Sequence, residues 1–256
     1  MKNNIEIVCS SYSKNANLWK ELINSYKIYA PDIFRNFKFT IISDAAPNFR
    51  NNQNINLFYL EKDFGWSSNL IKYLNTTSSE FVFIVFDDVF LNKKINYSFF
   101  CKIVQECITK KMMFCRFRNS PLTLKKEIDN NFNFVDYDSP YRTVLSFSLV
   151  SKSILLSLLE ANENAWDFEY NSPKRAKSID IYETKKNIIQ YIHVIEKGGY
   201  RFNCLFYHQL KNIRTQYKMF LPTPIYLFKI FFGLFFSKLP YEFKRLIYLK
   251  LKKLHN

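Results

Sequence analysis

This 256-residue sequence predicts an α/β fold, a mixed sheet flanked by helices. Three observations point there. The six apolar residues Phe81–Phe86 are too few for an independent helix and rich in β-branched and aromatic types, which suits a central strand buried on both faces. Similar apolar runs alternate with amphipathic stretches of helical period along the first hundred residues. Apolar residues make up 48% of the chain, including 27 Phe and 17 Tyr, so a sizeable core can form and wholesale disorder is excluded.

Taken in order, residues 4–9 read as a first strand ending in the polar run Ser10, Ser11, Tyr12, Ser13. A helix over 17–29 follows, with Leu18, Leu22, Ile23 and Tyr26 on one face and Pro31 just past its end. Residues 37–43 make a second strand closed by Asp44, and 55–60 a third that leads through Gly65 into a helix over 67–74. Phe81–Phe86 is then the central strand, with Asp87 and Asp88 immediately after it and apolar residues resuming at Val89. This β-α-β-β-α-β order is half of a nucleotide-binding sheet. Beyond it the pattern predicts a helix over 96–110, a strand over 112–117, a long loop over 119–140 and a strand over 141–150. An apolar helix over 152–161, the segment 163–169, a strand near 188–195 and a Gly-Gly turn at 198–199 complete the series.

Function classes narrow quickly. With only 4 Gly, the chain has neither a Gly-rich phosphate loop nor a dinucleotide fingerprint, so a nucleotide must be held by other means. Five cysteines without CxxC spacing read as reduced thiols of a cytosolic protein. The amino terminus lacks the apolar run of a signal peptide, so no export is expected. The net charge is +15, and residues 211–256 carry ten Lys or Arg against the single acid Glu242, a net +9 of that total. The basic excess is a tail property.

Two adjacent acids at the carboxyl end of a buried strand lie in the crevice where open α/β sheets bind ligands, and apolar residues resume at once after them. That placement indicates a metal or phosphate site. In the segment 163–169, Asp167 and Glu169 flank Phe168; on a strand they share a face, on a helix they diverge. A carboxylate here suits proton removal from a hydroxyl, with Glu169 preferred because its aromatic neighbours desolvate it. Trp166 suits either stacking on a flat ligand or plain core packing. Arg116, Arg118 and Arg142 border the loop region and suit contact with phosphates.

Together, the DDVF strand end, the polar SSYS run, Asp44, the AWDFE stretch and the later EKGGYRF resemble bacterial glycosyltransferases of the GT-A fold, the kind that build O-antigen or capsule. The resemblance covers roughly residues 4–205. It departs from the family's Asp-any-Asp triplet, having Phe86-Asp87-Asp88 instead. It implies a GT-A-like Rossmann-type sheet and a divalent cation, Mn²⁺ or Mg²⁺, held by Asp88, by Asp87 directly or through water, and by a late His, here His193. It further implies a nucleotide pocket lined by Ser10, Tyr12, Asp44 and Asp87. Glu169 or Asp167 would then be the catalytic base, and Trp166 and Arg142 would meet the acceptor. The implied partners are a nucleotide-sugar donor and a lipid-linked saccharide acceptor.

Two other readings compete. A basic nucleic-acid-binding protein would carry a recognised motif, and none is present, so no nucleic-acid partner is expected. A nucleotidyltransferase would want a Gly-rich, Lys-bearing loop after the first strand. The expected organisation is a catalytic unit at 1–210 and a basic, apolar tail at 211–256. In the tail the apolar run over 219–240 is broken by prolines and Lys229, so it is too short to span a bilayer. The following stretch places Phe243, Leu246, Ile247 and Leu251 at helical spacing beside Lys244, Arg245, Lys250, Lys252 and Lys253. An apolar face beside a basic one predicts a helix lying on an anionic membrane surface, at the cytoplasmic side of the inner membrane.

Overall fold

A computed structural model describes residues 4–45, 55–120, 122–196, 198–206, 211–222, 224, 231–232, 234–236 and 238–254. Nine strands form one sheet in the order β3-β2-β1-β4-β9-β6-β10-β8-β7. Strands β1 (Ile5–Ser10), β2 (Lys38–Ser43), β3 (Ile55–Tyr59) and β4 (Phe81–Phe86) run parallel, with β1 between β2 and β4. The strand order therefore reverses at the β1–β4 boundary, the position where such sheets open a ligand crevice. Strand β9 (Ser148–Ser151) runs antiparallel to both β4 and β6 (Phe114–Arg116), which returns β6 to the direction of β4. The carboxyl ends of β1, β2, β4 and β6 thus share one edge.

Alternate residues of the central strands enter opposite layers, as the two-residue strand period requires. Ile5, Ile7, Cys9, Phe83 and Val85 pack with helices α1 (Trp19–Tyr29), α2 (Pro31–Asn36) and α4 (Tyr97–Thr109). Val8, Val82 and Ile84 pack on the other face with α3 (Trp66–Thr76), α5 (Lys152–Leu158) and α6 (Ala165–Arg175).

Several expectations need correction. The central strand is Phe81–Phe86 as expected, the chain turns at Asp87-Asp88, and the apolar residues beyond form β5 (Val89–Leu91), which leaves the main sheet to pair with β11 (Tyr191–His193). The predicted loop at 119–140 contains β7 (Lys125–Glu127) and β8 (Phe132–Val135), which extend the sheet beyond β10 (Ile181–Thr184). Only the last three residues of the predicted 141–150 strand pair, within β9 (Ser148–Ser151), because Tyr141 and Phe147 hold positive φ values of 50° and 55°, incompatible with an extended ladder. Residues 163–169 are helical from Ala165. Pro31 stands just past the end of α1, as expected, and there opens α2 at its first turn, where a missing N–H costs nothing.

Contacts cross the expected boundary at 210, just before α7 (Lys211–Gln216). Asn17 donates to Gln216 at 2.8 Å and accepts from the Tyr217 hydroxyl at 2.9 Å. The backbones of Tyr200, Lys218 and Phe220 bond to one another at 2.7–2.8 Å. Among the described residues no helix is long and apolar enough to cross a membrane. Much of the apolar run at 219–240, including Lys229, lies outside the described residues. The final helix, α8 (Tyr241–Leu254), starts against the sheet edge: Tyr241 donates to Asp136 at 2.5 Å, and Arg245 sits 3.9 Å from Asp138. Lys244 is buried on that side, while Phe243 and Leu246 are 61% and 58% exposed on the other.

Candidate active site

The turn after β4 places Asp87 and Asp88 at the β1–β4 boundary. Ser11, one residue past β1, donates to Asp87 Oδ2, and the Trp19 indole donates to the same Ser11 hydroxyl at 2.8 Å. Asn15 Nδ2 donates to Asp87 Oδ1 at 3.1 Å. The Asp87 carboxylate is therefore fixed from the β1 side through both oxygens. Ser11 and Asn15 are site residues that sequence reasoning missed; their role depends on pairing across 76 and 72 positions, which no local pattern encodes.

Both acids hold their protons above the ordinary value of 3.8. Burial, then the neighbouring Asp88, pushes Asp87 up to about 7 against the pull of its Ser11 and Asn15 bonds. Burial raises Asp88 to about 6, with Glu196 adding repulsion. Among the described residues neither acid pairs with a Lys or Arg. A buried carboxylate and its half-buried neighbour, without a counter-charge among the described residues, are a donor set of hard oxygens suited to a divalent cation.

His193 faces Val89 in the β5–β11 pairing, and the Val194 amide donates to the Asp88 carbonyl at 2.8 Å, so β11 runs beside the acid pair. Burial, then Arg201 and Arg118, lowers the imidazole to about 4, leaving it neutral and able to ligate. Among the described residues no three His, Cys, Asp or Glu side chains are gathered closely enough to hold a metal by themselves. A cation bound here would share its coordination with substrate oxygens, as Mg²⁺ commonly does with phosphates.

The polar run after β1 is braced by Asp44, which accepts from the Ser13 amide at 2.7 Å and from its hydroxyl at 3.0 Å. Ser10 is buried at the strand end, and Tyr12 is 40% exposed with Asp87 and Asp88 among the charges that, after burial, raise its hydroxyl. The structure thus brings Ser10, Tyr12, Asp44, Asp87 and Asp88 to one edge.

The α6 residues separate. Asp167 closes a capping box with Asn164, accepting from the Asn164 amide and side chain at 3.4 and 2.6 Å, so it is engaged in starting the helix. Glu169 sits half-buried on a different face. Burial raises its carboxyl, while Arg118 and Arg116 draw it back. Arg118 in turn donates to the Tyr191 hydroxyl, whose ring lies 5.4 Å from His193. Trp166 is 76% exposed.

Arg142 is a correction. It is 0% exposed and donates to the Ala176 and Ile179 carbonyls at 2.7 and 2.9 Å, satisfying orphan groups just past α6, so it does not face an acceptor. Arg175 anchors the helix further by pairing Glu163 at 2.6 Å. Trp66 stacks on Phe86 at 6.4 Å and meets Phe168 at 5.5 Å, tying α3, β4 and α6 together beneath the site.

No protein-family model matches the chain, and comparison with curated proteins by sequence finds no match. In three dimensions the chain is similar to S. aureus TarS. Against the 1–349 fragment in complex with UDP-GlcNAc the TM-score is 0.52 at 17% identity, covering 77% of this chain and 60% of that one. The same fragment without that ligand gives 0.50 at 16%, covering 71% and 57%. A longer TarS structure gives 0.50 at 16%, covering 83% and 39%. This chain spans less than two thirds of the length of each. The likeness shows the fold, a GT-A-like Rossmann-type mixed sheet.

Proposed function

We propose that this chain is a metal-dependent glycosyltransferase that moves a sugar from a nucleotide-sugar donor to a lipid-linked glycan in bacterial surface polysaccharide synthesis. The observation that carries this reading is the Asp87–Asp88 pair. Asp87 is buried and Asp88 half-buried, the pair lacks a counter-charge among the described residues, and it stands where the strand order of a GT-A-like sheet reverses. Asp88 and Asp87 would hold Mn²⁺ or Mg²⁺ together with oxygens of the donor, and His193, expected as a further ligand, is not gathered with them into a three-ligand set; the cation would supply positive charge against the departing diphosphate. Ser11 and Asn15 orient Asp87, and Tyr12 and the Asp44-braced turn line the nucleoside side.

Glu169 takes the proton of the acceptor hydroxyl. Its partial burial raises the carboxyl and makes it a stronger base than an exposed carboxylate, while Arg118 and Arg116 draw it back. UDP is the first nucleotide to test, because the TarS fragment of like fold was solved with UDP-GlcNAc.

The tail docks the enzyme on the cytoplasmic face of the membrane. The side of α8 that carries Phe243 and Leu246 points away from the protein, and Phe231 and Phe235 are exposed nearby in sequence. Such a face gains by entering a lipid interface, and each basic side chain near an anionic surface adds about 1 kcal/mol. The test of the catalytic reading is calorimetric titration of UDP with and without Mn²⁺. Metal-dependent binding that is lost in Asp88→Asn supports it, and equal binding by both proteins removes it.

A further inference from the structure

Helix α6 presents a stripe that the fold does not use. Phe168 and Ser172 face the core, the first against Trp66 and the second donating to the Phe168 carbonyl and Thr143 Oγ1. On the outer side Trp166 is 76% exposed and Tyr170 is 69% exposed. They stand four residues apart, so their side chains are neighbours on one helix face. Lys174, four residues further, holds its ammonium 5.3 Å from the Tyr170 ring and steadies it from one side.

Glu169 lies three residues after Trp166, which makes the indole its neighbour on the helix surface as well. Trp166 therefore adjoins both Glu169 and Tyr170. The helix itself is fixed in place: the Asn164–Asp167 capping box starts it, Arg175 ties it to Glu163, and Arg142 holds the carbonyls at its end. Two large aromatic rings on a rigid helix, open to solvent beside a half-buried carboxylate, suit flat ligands with an apolar face and polar edges. Sugar rings have that character. Four residues of helix advance about 6 Å, on the order of one hexose with its linkage.

We propose that Trp166 and Tyr170 form an acceptor platform that stacks two successive sugar rings of a glycan, the terminal one on Trp166 beside Glu169 and the preceding one on Tyr170. This rests on the reading of Glu169 as the base. The acceptor is then a glycan of at least two residues, and a single sugar fills only the Trp166 half. Asp167, the nearest further carboxylate along the helix, is engaged in the capping box and leaves Glu169 as the acid at the terminal ring.

The test is binding of the intact protein to an array of bacterial surface glycans from one to six residues long, with UDP and Mn²⁺ titrated in parallel. The expected result is retention of glycans of two or more residues over monosaccharides. Trp166→Ala and Tyr170→Ala should each weaken retention at least tenfold, Tyr170→Phe should preserve it, and all three should melt with the wild type. Retention of no glycan overturns the proposal, as does equal retention of monosaccharides or wild-type retention by both alanine variants. If UDP binds and glycans do not, the platform fails while the transferase reading stands. If glycans bind through the two rings and UDP does not bind, the transferase reading fails instead.

Discussion

Asp87 and Asp88 determine the behaviour of the site through their charge. Their folded-state pKa values, about 7 and about 6, stand above the ordinary 3.8. Between those limits the folded chain keeps protons that the unfolded chain has released, so the contribution to stability is fully present below about pH 4 and lost as pH rises through 6 to 7. We therefore expect Asp88→Asn, which removes one of the two charges, to gain stability relative to wild type as metal-free protein is taken from pH 5 to pH 8 in urea melts. Mn²⁺ should stabilise the wild type more at pH 8 than at pH 5.5. Parallel stability curves for the two proteins would show that the acids do not repel as described. Glu169 is tested by kinetics: Glu169→Gln should lower turnover by roughly 10² to 10⁴, the range for loss of a general base, with donor affinity unchanged. A fall in donor affinity at unchanged turnover would place Glu169 in binding.

At the scale of elements, the parallel half was legible because its strands are long apolar runs with an obvious period. What was not legible has physical causes. Strands β7 and β8, three and four residues long inside the stretch read as a loop, are too short to show a period. The turn conformation at Tyr141 and Phe147 is set by tertiary packing and not by their residue types, which ordinarily avoid positive φ. For α6 a signal was present: Asn164 followed three residues later by Asp167 is a helix start, and it explains why Asp167 and Glu169 diverge. Arg142 read as an exposed cation because nothing in its neighbourhood announces the α6 carbonyls 34 and 37 positions away. The entry to α3 offers a test. Gly65 holds φ 89° and ψ 154°, a region that only glycine enters readily, while Asp63 accepts from its amide at 2.8 Å. Open space surrounds the position where a Cβ would stand. Gly65→Ala should therefore cost about 1–3 kcal/mol through backbone strain alone. An unchanged melting midpoint would mean that the turn relaxes.

For the whole molecule, the sheet, the acid pair and the tail make one arrangement: the proposed donor site at the shared strand edge and an outward apolar face on α8. Because residues 211–220 bond to Asn17 and Tyr200, the catalytic unit needs them, and a shortened protein should end after residue 222. That protein should still bind UDP but no longer sediment with vesicles of anionic lipid at low salt. Sedimentation equal to that of the full chain would remove the membrane role of the tail. The most direct measurement of the central claim is a thermal-shift series with UDP and UDP-sugars, with and without Mn²⁺, on wild type and Asp88→Asn. At 100 times its dissociation constant, a donor bound only by the folded state should stabilise the wild type by about 2.7 kcal/mol in the presence of Mn²⁺ and leave Asp88→Asn unmoved. Equal stabilisation of both proteins, or none of the wild type by any sugar nucleotide with Mn²⁺ present, would contradict the assignment of the Asp87–Asp88 site.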